Sequence, residues 1–183
     1  MAGIILGVDN KNNMVEIAAD PITRGIETIS TDHAGIHKGY GYSISGIFAS
    51  LAAAATVNYA FKTPASEKVI HLKYKEIQAT ANKIRVDLYE APTNAPTLGT
   101  DVAAINRARI GTPVVTKMQA VKSGMTIDLT GATVIEITQF VGGSARSTDI
   151  EFVLKPDTWY IRTFTNGTGA QADISFFEFW YEE

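Results

Sequence analysis

No cysteine occurs among the 183 residues, which removes disulfides, thiolate metal sites and cysteine nucleophiles together and leaves the fold to packing alone. Charge is scarce as well. Charged residues make up 19% of the chain against 45% hydrophobic, below the charged share usual for a soluble domain. The shortfall is filled by Ala, Thr, Gly and Ile rather than by disorder-promoting types, which leaves surface for protein partners. Lys and Arg number 16 against 19 Asp and Glu, a net charge of -3. With no cluster of five basic residues anywhere, no electrostatic drive toward phosphate exists, and nucleic acid is excluded as the primary partner.

Long apolar runs are missing too. The longest weakly polar stretch, Ile47 to Val57, is interrupted by Ser50 and Thr56 and falls short of the roughly 20 residues a membrane helix requires. Met1 to Val8 lacks the basic region and long apolar region of a secretory signal and meets Asp9 at once. The expectation is a soluble chain made in the cytoplasm, with no membrane partner. Its length suits one domain plus an appended segment.

What is present is alternation. Helical periodicity is nearly lacking, and from Tyr42 onward short alternating segments are separated by turn residues, the pattern of a sandwich or barrel. Strands are expected at Tyr42 to Phe48, Thr56 to Phe61, Lys68 to Ile77, Asn82 to Glu90, Val114 to Val121, Met125 to Leu129, Thr133 to Val141, Ile150 to Leu154, Trp159 to Thr165 and Ala172 to Tyr181. Ala52 to Ala55 between the first two reads as a short turn, because so brief a helix cannot offset its nucleation. Ile84, Val86 and Leu88 are expected to point inward, with Lys83, Arg85 and Asp87 outward. The strands at 68–77 and 82–90 are expected to pair with each other around Ala79 to Asn82. In the last strand Phe177, Phe179 and Tyr181 share one face, and Phe176 and Trp180 the other. This many strands implies an all-β, two-sheet antiparallel sandwich over 42–183. Residues 1–41 are irregular, punctuated by Asp20-Pro21, Arg24-Gly25 and Lys38-Gly39-Tyr40-Gly41. They read as an extended N-terminal arm that cannot build its own core, with Ile17, Ile22 and Ile26 among the apolar anchors that would dock it on a neighbouring subunit.

Reactive constellations are few. Asp32, His33 and His37 form the one cluster of metal-type ligands, and an H-x3-H spacing serves a metal when it lies on a helix. Gly35 inside it, with Gly39 and Gly41 following, disfavours that helix, so His33 and His37 read as hydrogen-bonding residues of the arm. His71 reads as a surface residue. Gly142-Gly143-Ser144 lacks the helix and lysine of a phosphate loop. Glu178 and Glu182 form a carboxylate pair expected to be solvated near the terminus, with no nucleophile or base beside them. No cofactor is implied, and the chain reads as non-enzymatic. Arg107 and Arg109, two residues apart, suit a protein interface. Leu154, Pro156 and Tyr160 have the spacing of a tyrosine corner, in which the phenol hydroxyl bonds upstream backbone and pins the start of a strand.

The stretch Glu151-Phe152-Val153-Leu154-Lys155-Pro156, then Thr158-Trp159-Tyr160-Ile161-Arg162, Thr165-Asn166, Ala172-Asp173-Ile174-Ser175 and Trp180-Tyr181-Glu182 resembles a family of tailed-bacteriophage virion proteins, the head-decoration, cement or head-fibre proteins. The Tyr42 to Phe48 strand with its Ala-rich continuation, and Ile105-Asn106-Arg107-Ala108-Arg109, agree with it. The resemblance covers roughly residues 40–183 and leaves the arm unmatched; it departs at Val141 to Ser144 and at Glu183, a loop and a terminus. It implies a jelly-roll-like sandwich that oligomerises as a trimer and sits on the capsid exterior, bound to the major capsid protein. Phe177, Phe179, Tyr181, Arg107 and Arg109 are then expected at subunit or capsid contacts. A second reading is a phage fibre or receptor-binding module, with Trp159, Trp180, Tyr181 and Phe179 as a glycan platform.

Overall fold

The computed structural model describes residues 5–8, 14–17, 36, 38–65, 68–81, 83–108, 114–140, 146–148 and 151–183. Every regular element among them is a strand: β1 Ile5–Val8, β2 Met14–Ile17, β3 Gly41–Leu51, β4 Thr56–Lys62, β5 Ile70–Ala79, β6 Ile84–Glu90, β7 Thr100–Asp101, β8 Ile105–Asn106, β9 Ala120–Ser123, β10 Thr133–Phe140, β11 Arg146–Thr148, β12 Phe152–Leu154, β13 Trp159–Asn166 and β14 Ala172–Glu182. They form two six-stranded antiparallel sheets and a separate hairpin. Sheet I runs β8-β3-β14-β5, with β11 and β12 in succession along the far side of β5; sheet II runs β7-β9-β4-β13-β6-β10. The hairpin β1–β2, within the segment expected as an extended arm, shares no ladder with either sheet among the described residues.

The two sheets enclose a core made by the alternate residues of their central strands. From sheet I come Tyr42 and Ile44 on β3, Ile174, Phe176 and Trp180 on β14, and Ile70, Leu72 and Ile77 on β5. Sheet II supplies Tyr59 and Phe61 on β4, Tyr160 and Phe164 on β13, and Ile84, Val86 and Leu88 on β6, the last three fully buried. Rings carry the middle: Phe176 stacks on Tyr59 at 4.8 Å and on Phe48 at 5.4 Å, and lies 5.5 Å from Phe164. Gly46 is paired with Phe176 across the β3–β14 ladder, and a Cβ there would lie 2.8 Å from the ring.

Several expectations need correction. β5 and β6 do not pair with each other: β5 joins β14 in sheet I, while β6 joins β13 and β10 in sheet II. Alternation states which side of a strand is apolar, not which neighbour it takes. The stretch 125–129 is not a strand. It crosses the outer face of sheet II, where Met125 is buried with Ala60 and Ile161, and Ile127 and Leu129 pack beside them. In place of a ladder it has an isolated bridge between Thr126 and Thr97 and the Asn58 side chain, which donates to Met125 O and accepts from Met125 N, both at 2.9 Å. In 114–121 only the end is strand, from Ala120. Earlier in that stretch, side chains serve the backbone: Asn106 donates to Val114 O, and Lys117 N donates to the Glu182 carboxylate.

The start of β13 is pinned from two sides. The Tyr160 hydroxyl accepts from Lys155 N at 2.9 Å and donates to Glu90 at 2.8 Å, and Leu154 is buried beside it while Pro156 stays exposed. Burial, followed by the bond to Glu90, raises the Tyr160 phenol well above its ordinary range. Thr63 holds the same turn, donating to Lys155 O and accepting from Thr158 N. Tyr160→Phe leaves the Lys155 N–H and a Glu90 carboxylate oxygen short of one part-buried bond each, and is expected to cost about 1–3 kcal/mol in urea unfolding. An unchanged midpoint would show the corner to be dispensable.

Candidate functional site

Two constellations stand out, one between the sheets and one outside sheet I. Between the sheets lies a set of charges in an otherwise apolar layer. Arg162 on β13 occupies the parity of Tyr160 and Phe164, so it faces inward; its Nη1 donates to Glu136 Oε2 at 2.6 Å and its Nη2 to Glu178 Oε1. Lys75 on β5 donates to the other Glu136 oxygen and lies 3.4 Å from Thr138 Oγ1. Arg162 and Glu136 both pair with Leu88 from opposite sides, and Glu178 pairs with Lys75, so two rungs, one from each sheet, bring the four charges together. Side-chain exposure is 2% for Arg162 and Glu178, 6% for Lys75 and 9% for Glu136. Burial lowers the Arg162 guanidinium to about 9, still protonated at neutral pH, and pushes the Glu178 carboxyl up. Two cations against two carboxylates balance the charge. Closed to solvent, the set acts as a pin between the sheets.

The solvation expected for Glu178 and Glu182 is therefore overturned, since both are 2% exposed. Glu178 shares the parity of Phe176 and Trp180 and must enter the core with them. Glu182 accepts from Lys117 N, Thr116 Oγ1 and Trp180 Nε1. Sequence reasoning missed the pin, although the parities of Arg162 and Glu178 were readable. Those of Lys75 and Glu136 were hidden by irregularities in the ladders, at Phe179/Trp180 on β14 opposite Lys73 and at Val134/Glu136 on β10.

The outer faces of the two sheets differ. That of sheet II is covered over its middle strands by Met125, Ile127 and Leu129 of the chain's own 124–132 segment, which leaves Val134 and Ile137 exposed on β10, whereas that of sheet I carries Ile47 at 72% exposure, Val153 at 64% and Ile105 at 48%. On this same face lie Phe177, half-buried, and Phe179 and Tyr181, both buried. Arg107 is placed over the rings of Phe177 and Phe179, 5.5 and 5.9 Å from their centroids, within cation–π range. The face thus gathers Arg107, Phe177, Phe179 and Tyr181. Ile17 ends β2, opposite Ile5, while Ile22, Ile26, Arg109, His33 and His37 lie outside the described residues.

At one end of the face a polar corner closes over Tyr181. His71, expected on the surface, is instead partly buried; it stacks on Tyr181 at 4.5 Å, and its Nδ1 lies 2.7 Å from Glu151 Oε1. Glu151 also accepts from the Tyr181 hydroxyl at 2.8 Å and from Lys73 at 3.2 Å. These donors, the Tyr181 hydroxyl foremost, hold the Glu151 carboxyl down at about 2. Among the described residues no group of three His, Asp or Glu is placed to hold a metal, and no helix is long and apolar enough to cross a membrane. No protein-family model matches the chain, and no curated protein matches it either.

Proposed function

We propose that this protein is a non-enzymatic structural component of a tailed-phage virion that decorates and cements the outside of the capsid. The observation that carries the reading is the unequal treatment of the two sheets. Sheet II has the middle of its outer face covered from within the chain, and sheet I presents Ile47, Ile105 and Val153 around an Arg107–Phe177–Phe179 stack. Aromatic residues and arginine beside exposed aliphatic ones are the composition of a protein interface. Pairing order supports a jelly-roll form: the chain alternates sheets through β3, β4, β5 and β6, then returns to insert β13 between β4 and β6 and β14 between β3 and β5. The β1–β2 hairpin supports a docking arm, because a two-stranded hairpin on its own is marginal in water.

The glycan reading requires flat rings open to solvent. Trp180, Tyr181 and Phe179 are 2%, 5% and 7% exposed, and Trp159 packs beside Met125, so no observation favours it.

The test is cosedimentation of the purified protein with heads assembled from the major capsid protein encoded on the same genome. Saturable binding to the shell exterior and a raised shell melting temperature are expected. Absence of binding at saturating protein would overturn the reading. Deleting residues 1–35 is expected to weaken binding about tenfold or more if the arm adds a second point of attachment. Unchanged binding would remove the arm from the contact.

A further inference from the structure

The outermost strands of the two sheets are unequal. β7 and β8 have two residues each, and β11 and β12 three each, as suits edges kept short against chance pairing. β10 has eight and, among the described residues, no ladder partner on its outer flank. Edges are ordinarily guarded by lysine, proline or an outward charge. Thr133-Val134-Ile135-Glu136-Ile137-Thr138-Gln139-Phe140 has one charge, and Glu136 is turned inward to Lys75 and Arg162. What faces solvent is Val134 at 41%, Ile137 at 62% and Gln139. β3 also has a flank beyond Ser43, where β8 stops, with no ladder partner among the described residues. That flank holds Gly46 and ends at Ser50, whose backbone is left-handed (φ 53°), while β14 shifts register near the same end. A straight added strand fits it less well.

We infer that β10 is a self-association edge, joined to β10 of a second copy by antiparallel pairing across a two-fold axis, so that sheet II continues from one copy into the next. Three features favour an identical partner. A two-fold axis across an edge generates antiparallel pairing, the only kind found among the described strands. The irregularity at Val134/Glu136 confines regular pairing to Glu136 through Phe140, whose midpoint is Thr138. In that register Ile137 meets Gln139, Glu136 meets Phe140 and Thr138 meets itself, so no like charges oppose each other. The inward ion pairs also account for the unguarded edge: the carboxylate that would deter pairing is held by Lys75 and Arg162.

The full chain and three single variants decide the matter by light scattering across the micromolar range. Ile137→Lys puts two cations at the axis without touching the core. Val153→Lys and Ile47→Lys place the same charge on the opposite edge of sheet I and on the β3 flank. The full chain is expected at twice the mass of one copy. Ile137→Lys is expected at the mass of one copy, with unchanged circular dichroism, and the other two variants as pairs. Amide exchange at 136–140 is expected to be slow in the full chain and fast in Ile137→Lys. A full chain that stays single, a three-copy mass, or pairs that survive Ile137→Lys would overturn the proposal. Dissociation by Ile47→Lys with Ile137→Lys still paired would overturn it in favour of the β3 flank. None of these outcomes depends on capsid binding, so the two proposals stand or fall separately.

Discussion

Replacing Arg162 with Ala is expected to destabilise the protein by about 3–5 kcal/mol, the range for removing one partner of a buried ion pair. The loss comes from what is left behind. Glu178 at 2% exposure and Glu136 at 9% then lack the guanidinium that both contact, while Lys75 and the Thr138 hydroxyl remain beside Glu136. Taking such carboxylates out of water without compensation is what the native arrangement avoids. Two second-site changes sharpen the test. Adding Glu178→Gln to Arg162→Ala removes the stranded charge and should recover part of the loss. Glu178→Gln alone leaves Arg162 bonded to Glu136 and should cost less than Arg162→Ala. Urea unfolding of the three variants measures all of this. If Arg162→Ala unfolds within 1 kcal/mol of the parent, on the order of an exposed pair, the cluster is not a pin between the sheets.

Phe176→Ala is expected to cost about 3–5 kcal/mol, the range for an aromatic lost from a packed core. Phe176 is 7% exposed and has Tyr59, Phe48 and Phe164 within 4.8 to 5.5 Å of its ring centroid. Its partner across the ladder makes the prediction specific. A Cβ on Gly46 would sit 2.8 Å from Cε1 and 3.0 Å from Cζ of that ring. The ring is held between Tyr59 and Phe48 and cannot retreat, so Gly46→Ala should itself cost about 1–3 kcal/mol through overpacking. In the double variant the new methyl enters the space the ring has left. The combined loss should then fall below the sum of the single losses by roughly 1 kcal/mol, a coupling typical of residues in contact. Strict additivity would mean that Gly46 is not there to make room for Phe176.

Much of this architecture was legible from alternation. Ile84, Val86 and Leu88 point inward as their spacing requires, and Phe176 and Trp180 face away from Phe177, Phe179 and Tyr181. Most strand bounds agree with the expected ranges to within two or three residues, because the turns at Ala52 to Ala55 and after Asn166 are written in the local residues. Alternation failed where a side chain did the work of a ladder. Met125 to Leu129 alternates as a strand would, yet the Asn58 side chain bonds Met125, Thr126 makes a single isolated bridge to Thr97, and the segment becomes a cover over the middle of sheet II. It failed again at Glu136, where an extra residue reverses the faces and leaves Ile137 outside.

The candidate surface divides in the same way. That Phe177, Phe179 and Tyr181 share a face followed from a period of two, which is a property of the strand alone. That Arg107 comes to rest over two of those rings did not follow, because β8 reaches β3 from far along the chain. By itself, then, the sequence determined an all-β chain, the parity of the strands whose ladders run without a bulge and the absence of any thiol chemistry, since these depend on composition and neighbouring residues. Only the tertiary structure decided that β5 and β6 part into different sheets, that four charges meet between those sheets and that β10 is left at an edge. Each of these is a matter of partners distant in sequence, and the backbone hydrogen bonds that choose between partners are the same for every residue type.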